Sequence, residues 1–166
     1  QKDMMMFAVS HNMPGLAFRL ADLHLKNTGE AFNSALYPEP ETHIKFDIDP
    51  AIIYGIIRKE SSFYPLARSR ARATGLMQIM PATAAFISKD RRFVSTNRHL
   101  LNNPDINLKL GQDYIFHLLD TPVVDQHLFK LLAAYNAGPG NLNKWIKKID
   151  YRGDSFLLLE SLPARE

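Results

Sequence analysis

Cysteine is absent from the 166-residue chain, which excludes disulfide staples, thiolate nucleophiles and thiolate metal sites together. No run of eighteen or more uncharged apolar residues occurs either, so no membrane-spanning helix is expected. Excess charge is small: 20 Lys and Arg face 17 Asp and Glu, a formal +3, which permits an anionic polymer as partner but is no nucleic-acid-binding charge field. The six histidines (His11, His24, His43, His99, His117 and His127) never take an H-E-x-x-H spacing, and no G-x-S-x-G elbow exists. Metal hydrolysis and serine-nucleophile chemistry therefore have no support. Alternating strand patterns, internal repeats and low-complexity tracts are also missing, leaving an all-α reading.

What is present is a 46% apolar, 22% charged composition, long enough to bury a core without stapling and expected to form a soluble globular protein. Gln1-Lys2-Asp3 is no initiator. Met4 to Val9 is too short, and too soon followed by His11, for a signal-peptide core, so the chain reads as a fragment or a processed form without its signal peptide.

Leu16, Leu20 and Leu23 recur at helical spacing and predict a helix over residues 14–26, stopped at Asn27-Thr28-Gly29. A weaker helix is expected over 30–36, followed by a linker where Pro38 and Pro40 interrupt any periodicity. The division into domains is expected at that linker, with residues 1–44 a helical segment and 45–166 a separate packing unit. Asp49 before Pro50 has the form of an N-cap with proline at the first helical position, and Ile52, Ile53, Ile56 and Ile57 supply the apolar stripe of a helix to about Ser61. Further helices are expected as a short turn over 75–79, from Pro81 to Ile87, and from Pro104 along Leu108, Gly111, Ile115 and Leu118. Two more are expected from an Asp125 cap through Leu128, Leu131, Leu132 and Tyr135, and along Leu142, Trp145, Ile146 and Ile149. Residues 88–103 read as irregular, and 156–162 as packed through Phe156 to Leu159.

Three segments hold residues suited to chemistry. The stripe Ile53, Ile56, Ile57 continues at the next helical step to Glu60, placing a carboxyl on the apolar face, where burial favours the protonated form that a general acid needs. Arg58 and Lys59 oppose this if their charges come close, and the plainer reading turns Glu60 to solvent at the helix end. Gly75-Leu76-Met77-Gln78-Ile79-Met80-Pro81 places a glutamine between two methionines, whose plainer role is filling gaps in a core. Ala134-Tyr135-Asn136-Ala137-Gly138-Pro139-Gly140 puts a tyrosine on the buried stripe before an ordinary helix stop.

Taken in order, Glu60-Ser61, Gly75-Leu76-Met77-Gln78 and Ala134-Tyr135-Asn136-Ala137-Gly138 resemble the catalytic domain of the soluble lytic transglycosylases over residues 45–166. The resemblance implies a goose-type lysozyme-like helical domain, preceded over residues 1–44 by the end of an α-superhelical region. It also implies a bacterial periplasmic setting and peptidoglycan glycan strands as partner; from the residues themselves neither cofactor nor metal is expected. Glu60 would be the single catalytic acid and base, cleaving the β-1,4 bond between N-acetylmuramic acid and N-acetylglucosamine. Ser69, Gln78, Met80, Tyr135 and Glu166 would line the cleft, with Ser61 and Asn136 supporting the helix ends. Arg72 stands where the family has glycine; if that glycine has a positive φ, Arg72 is expected to force a different loop path and to shift Ser69. Arg68, Arg70 and Arg72 read first as a solvated loop, and second as groups that meet stem-peptide carboxylates. Two other functions stay open: a lysozyme-like muramidase using water, for which Asp47, Asp49 and Asp113 are the available second carboxylates, and a non-catalytic glycan-binding module.

Overall fold

The computed structural model of the chain describes residues 2–163. Among these no strand forms, and the chain is all-α as expected, with two isolated antiparallel bridges, Arg68 to Thr74 and Thr74 to Ile79. It packs as two compact units, residues 1–112 and 113–166.

The first unit begins with α1 (Lys2–Ser10), α2 (Pro14–Thr28) and α3 (Asn33–Leu36), which bury Met5, Ala8, Ala17, Ala21, Ala35 and Leu36 together. Helix α1 was not legible in the sequence, because its face offers only Met5 and the small Ala8 to the core. Helix α2 ends where Gly29 takes φ 75°, with its N–H returned to Leu25 O. Helix α3 starts at Asn33, three residues later than expected.

These three helices share a packing unit with residues beyond the linker, and specific contacts account for it. The Phe18 ring lies 5.6 Å from that of Phe63, a Cβ at Gly15 would sit 3.3 Å from Tyr64, and Arg58 stacks between the rings of Phe18 and Tyr37 at 5.5 and 4.7 Å. The linker itself is tied down by Asp105, which accepts hydrogen bonds from the Thr42 hydroxyl at 2.7 Å and the His43 N–H at 2.9 Å.

Helix α4 (Pro50–Ser61) is capped as its sequence predicts, with Asp49 Oδ1 accepting the Ala51 N–H at 2.9 Å, and it buries Ile53, Ile56 and Ile57. Helix α5 spans Pro81–Ser88, and the stretch expected to be irregular holds two 3₁₀ turns, Arg91–Val94 and Arg98–Asn102. Helix α6 (Pro104–Leu119) runs through the point where the units divide.

In the second unit, α7 (Leu128–Ala137) is not capped by Asp125. Asp125 and the following Gln126 both take positive φ, 51° and 57°, so the chain turns sharply first and His127 occupies the N-cap without a side-chain bond. Helices α8 (Pro139–Ile146) and α9 (Ser155–Ser161) follow; the run expected to be packed is only partly so, since Leu158 is buried while Phe156 is 68% and Leu157 38% exposed, one face of a short helix being turned inward. The Ser155 hydroxyl and His127 Nε2 meet at 2.7 Å.

Candidate active site

Helix α4 stops immediately after Glu60 and Ser61 because Ser62 and Phe63 both adopt left-handed backbone, φ 52° and 61°. Neither is glycine, so the turn is strained, and the fully buried Phe63 ring supplies the packing that holds it. Glu60 is thereby fixed in the last helical turn, half-buried. Burial pushes its carboxyl above the ordinary glutamate value, and the neighbouring Lys59 charge opposes this more weakly. Its place among the unpaired carbonyls at a helix C-terminus also disfavours the anion. The expected opposition from Arg58 does not arise, because that guanidinium is engaged by Phe18 and Tyr37. The Glu60 carboxyl makes no hydrogen bond or ion pair among the described residues. Ser61 donates its hydroxyl to Ile57 O at 3.1 Å and is buried, a bond within the helix end.

The segment expected as a helical turn at Gly75 to Ile79 is instead a bridged turn: Thr74 and Ile79 exchange both backbone hydrogen bonds at 3.1 Å. Its glycine has φ 85°, and a Cβ there would lie 2.3 Å from Leu101 O and 2.2 Å from Asn107 Nδ2, so residue 75 admits no side chain. Gln78 closes the turn with φ 48°, and its amide holds that conformation by donating to Gly75 O at 2.9 Å and Ala67 O at 3.0 Å. Both amide hydrogens are thus spent on backbone, and only Oε1 remains to meet a ligand. Met80, 38% exposed, starts α5 in extended conformation.

A second small loop shares Thr74 with this turn. Ser69 N–H donates to Ala73 O at 3.0 Å, and the Ala73 N–H donates back to Ser69 Oγ at 3.0 Å, leaving the Ser69 hydroxyl proton free to serve a ligand. Arg72 takes φ 73°, which corrects the expectation that an arginine here forces another loop path: the left-handed position is kept, and the loop closes with the Arg72 N–H donating to Ser69 O at 3.0 Å. The plan that sequence reasoning missed centres on Asn107. Fully buried on α6, it accepts the Met77 N–H at 2.8 Å and donates to Thr74 O and Leu101 O at 2.8 and 2.9 Å, fixing the turn that carries Gln78. The available signal was a polar residue beside Leu108 on an otherwise apolar helix face.

Tyr135 and Asn136 belong to the second unit. Tyr135 is half-buried at the end of α7 with its ring 5.5 Å from that of Tyr114, and Asn136 is exposed. Glu166 lies outside the described residues. Of the alternative second carboxylates, Asp49 is committed to the N-cap of α4, about 16 Å along the helix from Glu60 at 1.5 Å per residue. Asp47 precedes it, with its N–H held by Gln112 Oε1 at 2.8 Å.

Residues 40–155 match the transglycosylase SLT domain family. The soluble lytic murein transglycosylase of Escherichia coli is 34% identical over 122 residues, which cover 72% of this chain and 18% of that protein. Among solved structures, an inactive glutamate-to-glutamine variant of the lytic transglycosylase Slt from Pseudomonas aeruginosa aligns with a TM-score of 0.75 and 26% identity, over 97% of this chain and 26% of the other. The 70 kDa soluble lytic transglycosylase from Escherichia coli aligns with a TM-score of 0.70 and 27% identity, over 96% and 26%. The chain therefore spans well under a third of the length of these relatives, and the all-α, lysozyme-like fold implied by its motifs is theirs. Carrying Glu60-Ser61, the Gly75 to Gln78 turn and the Tyr135-Asn136 helix end within the matched residues, the chain belongs to the transglycosylase SLT domain family.

Proposed function

We propose that this chain is a lytic transglycosylase, cleaving the β-1,4 bond between N-acetylmuramic acid and N-acetylglucosamine in peptidoglycan without consuming water. The observation that carries the reading is the half-buried carboxyl of Glu60, raised toward its protonated form and held in no hydrogen bond or ion pair among the described residues. In the proposed sequence Glu60 protonates the leaving glycosidic oxygen, and the N-acetyl group of the muramyl sugar stabilises the developing cation. The Glu60 carboxylate then takes the proton of the sugar's own 6-hydroxyl, which closes a 1,6-anhydro ring. The bond to the leaving sugar breaks, the bond from C1 to O6 forms, and the proton is returned to Glu60. One carboxyl suffices because the substrate supplies both nucleophiles, whereas ordinary glycosidases need two carboxylates.

On this reading Gln78 Oε1 accepts an N–H of a sugar N-acetyl group, the Ser69 hydroxyl donates to a sugar oxygen, and Met80 presents apolar surface to a ring; Tyr135, in the second unit, is carried as a substrate-binding residue by the family resemblance alone. Glu166, outside the described residues, is likewise carried by the resemblance alone, and Ser61 and Asn136 are proposed to serve the helix ends. The matched family starts at residue 40, which supports assigning the chemistry to residues 45–166, with 1–44 as a helical lead-in. A periplasmic location is proposed with the substrate. No described helix is long and apolar enough to cross a membrane. The inactive glutamate-to-glutamine variant of the Pseudomonas enzyme supports a glutamate in the central role. The muramidase alternative is weakened because Asp49 is spent on its cap at the far end of α4.

The test is Glu60→Gln, which keeps the shape but cannot shuttle a proton. Release of muropeptides from purified peptidoglycan should fall by at least about a thousandfold, in the upper range for losing a general acid-base group, while the circular dichroism spectrum is unchanged. Turnover near the parent's by the folded variant would contradict the assignment.

A further inference from the structure

The loop that carries Ser69 borders a second feature that the proposed reaction does not use. Arg68, Thr74, Arg98, His99 and Asn102 line a pocket of about 240 Å³. Arg98 sits at the start of the second 3₁₀ turn, and its Nη2 is buried without a hydrogen-bond partner. A guanidinium nitrogen withdrawn from water and left unpaired is costly, and such atoms are uncommon in folded proteins. Desolvation, together with the charges of Arg68 and Arg72, holds Arg98 below the ordinary arginine value, so three cations converge here and no carboxylate among the described residues answers them. His99 turns Nδ1 to Thr96 O at 2.9 Å, leaving its other ring nitrogen unengaged among the described residues.

The neighbouring acids are committed elsewhere. Asp90 is gripped by Arg92 through contacts of 2.9 to 3.1 Å and by Asn97, and Asp105 by Thr42 and His43. The walls are also rigid. Thr74 is 4% exposed, carries both bridges of the loop and donates its hydroxyl to Arg72 O at 3.1 Å. A pocket of this size, polar and cationic, is too small for a drug-sized apolar ligand and suits one compact charged group.

We propose that the pocket formed by Arg68, Arg98 and His99 binds an oxyanion, a carboxylate or a phosphate, with Arg98 Nη2 as the buried donor. The ligand neutralises the three converging cations and pairs the orphaned nitrogen, and Arg68 closes over it from the loop. Because Arg68 and Ser69 are consecutive residues, about 3.8 Å apart at Cα, a bound anion also braces the backbone that presents Ser69. Two sources share this chemistry: inorganic phosphate, and a free carboxylate on the peptide of a muramoyl peptide. The site itself does not depend on the chain being catalytically active.

Binding is measured at low ionic strength by titrating the parent chain with inorganic phosphate and following the backbone amide resonances of Thr74 and Asn102. The same titration is run with a muramoyl peptide bearing free carboxylates and with its amidated form. Saturable shifts with phosphate or with the free-acid peptide, weakened about tenfold or more in Arg98→Gln and clearly in Arg68→Gln but not in Arg70→Gln, are the expected result. A response to the free acid and not to the amide assigns the ligand to the peptide; a response to phosphate alone assigns it to the free anion. Absence of saturable binding by both probes, or equal binding by the parent and Arg98→Gln, would overturn the proposal.

Discussion

Glu60 illustrates how a carboxyl is held partly out of water at a cost to the fold. Its pKa is raised above the unfolded value, so the folded chain binds this proton more tightly than the unfolded chain does. The stabilising contribution is therefore fully present below the unfolded glutamate pKa and is lost as pH rises through the folded one. Glu60→Gln has no proton to lose, so its melting temperature relative to the parent should increase across that window and then stay level above it. Parallel pH profiles for parent and variant would show that the carboxyl is not held out of water. Asn107 gives the complementary case of a buried polar group with every valence used. Asn107→Ala strands the Met77 N–H and the Leu101 carbonyl and should cost about 3 kcal/mol in urea unfolding. Asn107→Asp is nearly isosteric, yet turns an anion toward two carbonyl oxygens; it should be as damaging at neutral pH and partly recover in acid, when the carboxyl is protonated. Equal stability of the aspartate variant at both pH values would contradict that arrangement.

At the scale of elements, the turn at Gly75 and helix α6 are fitted to each other by two glycines whose tolerance differs for a physical reason. An added Cβ at Gly75 meets Leu101 backbone at 2.3 Å in left-handed conformation, whereas at Gly111 it meets the Met77 sulfur at 2.1 Å, the far part of a flexible side chain. Gly75→Ala should therefore cost about 3 kcal/mol or more and Gly111→Ala about 1–2 kcal/mol. A reversed order in chemical denaturation would show that Met77, although fully buried, has nowhere to go. The same elements explain what was readable beforehand. Helices α2, α4 and α6 were legible because proline starts and apolar stripes are local signals, and Glu60 was legible as an interruption of one stripe. The turn at Gly75 resembles a helical turn in sequence because its backbone is set by partners distant in sequence, Asn107 and Leu101, and by a glutamine holding its own left-handed φ. Asp125 has the residue type of a cap but lies two residues too early, in a turn with two consecutive positive φ values. The 3₁₀ turns at Arg91–Val94 and Arg98–Asn102 each bury a single apolar side chain, Phe93 and Leu101, which leaves no periodicity to detect.

For the whole molecule, family membership rests on three short motifs in order within the 40–155 match, and the proposed chemistry rests on one carboxyl. That economy separates the proposed reaction from hydrolysis at a single atom. A transglycosylase closes the ring with the sugar's own O6, while a muramidase delivers oxygen from water to C1. The most direct measurement is therefore digestion of purified peptidoglycan by the chain in water enriched with heavy oxygen, followed by mass spectrometry of the muropeptides. A transglycosylase gives products ending in 1,6-anhydro-N-acetylmuramic acid, each lighter by one water than the hydrolysis product and carrying no label. Reducing muramic ends bearing heavy oxygen as the main product would contradict the proposed reaction.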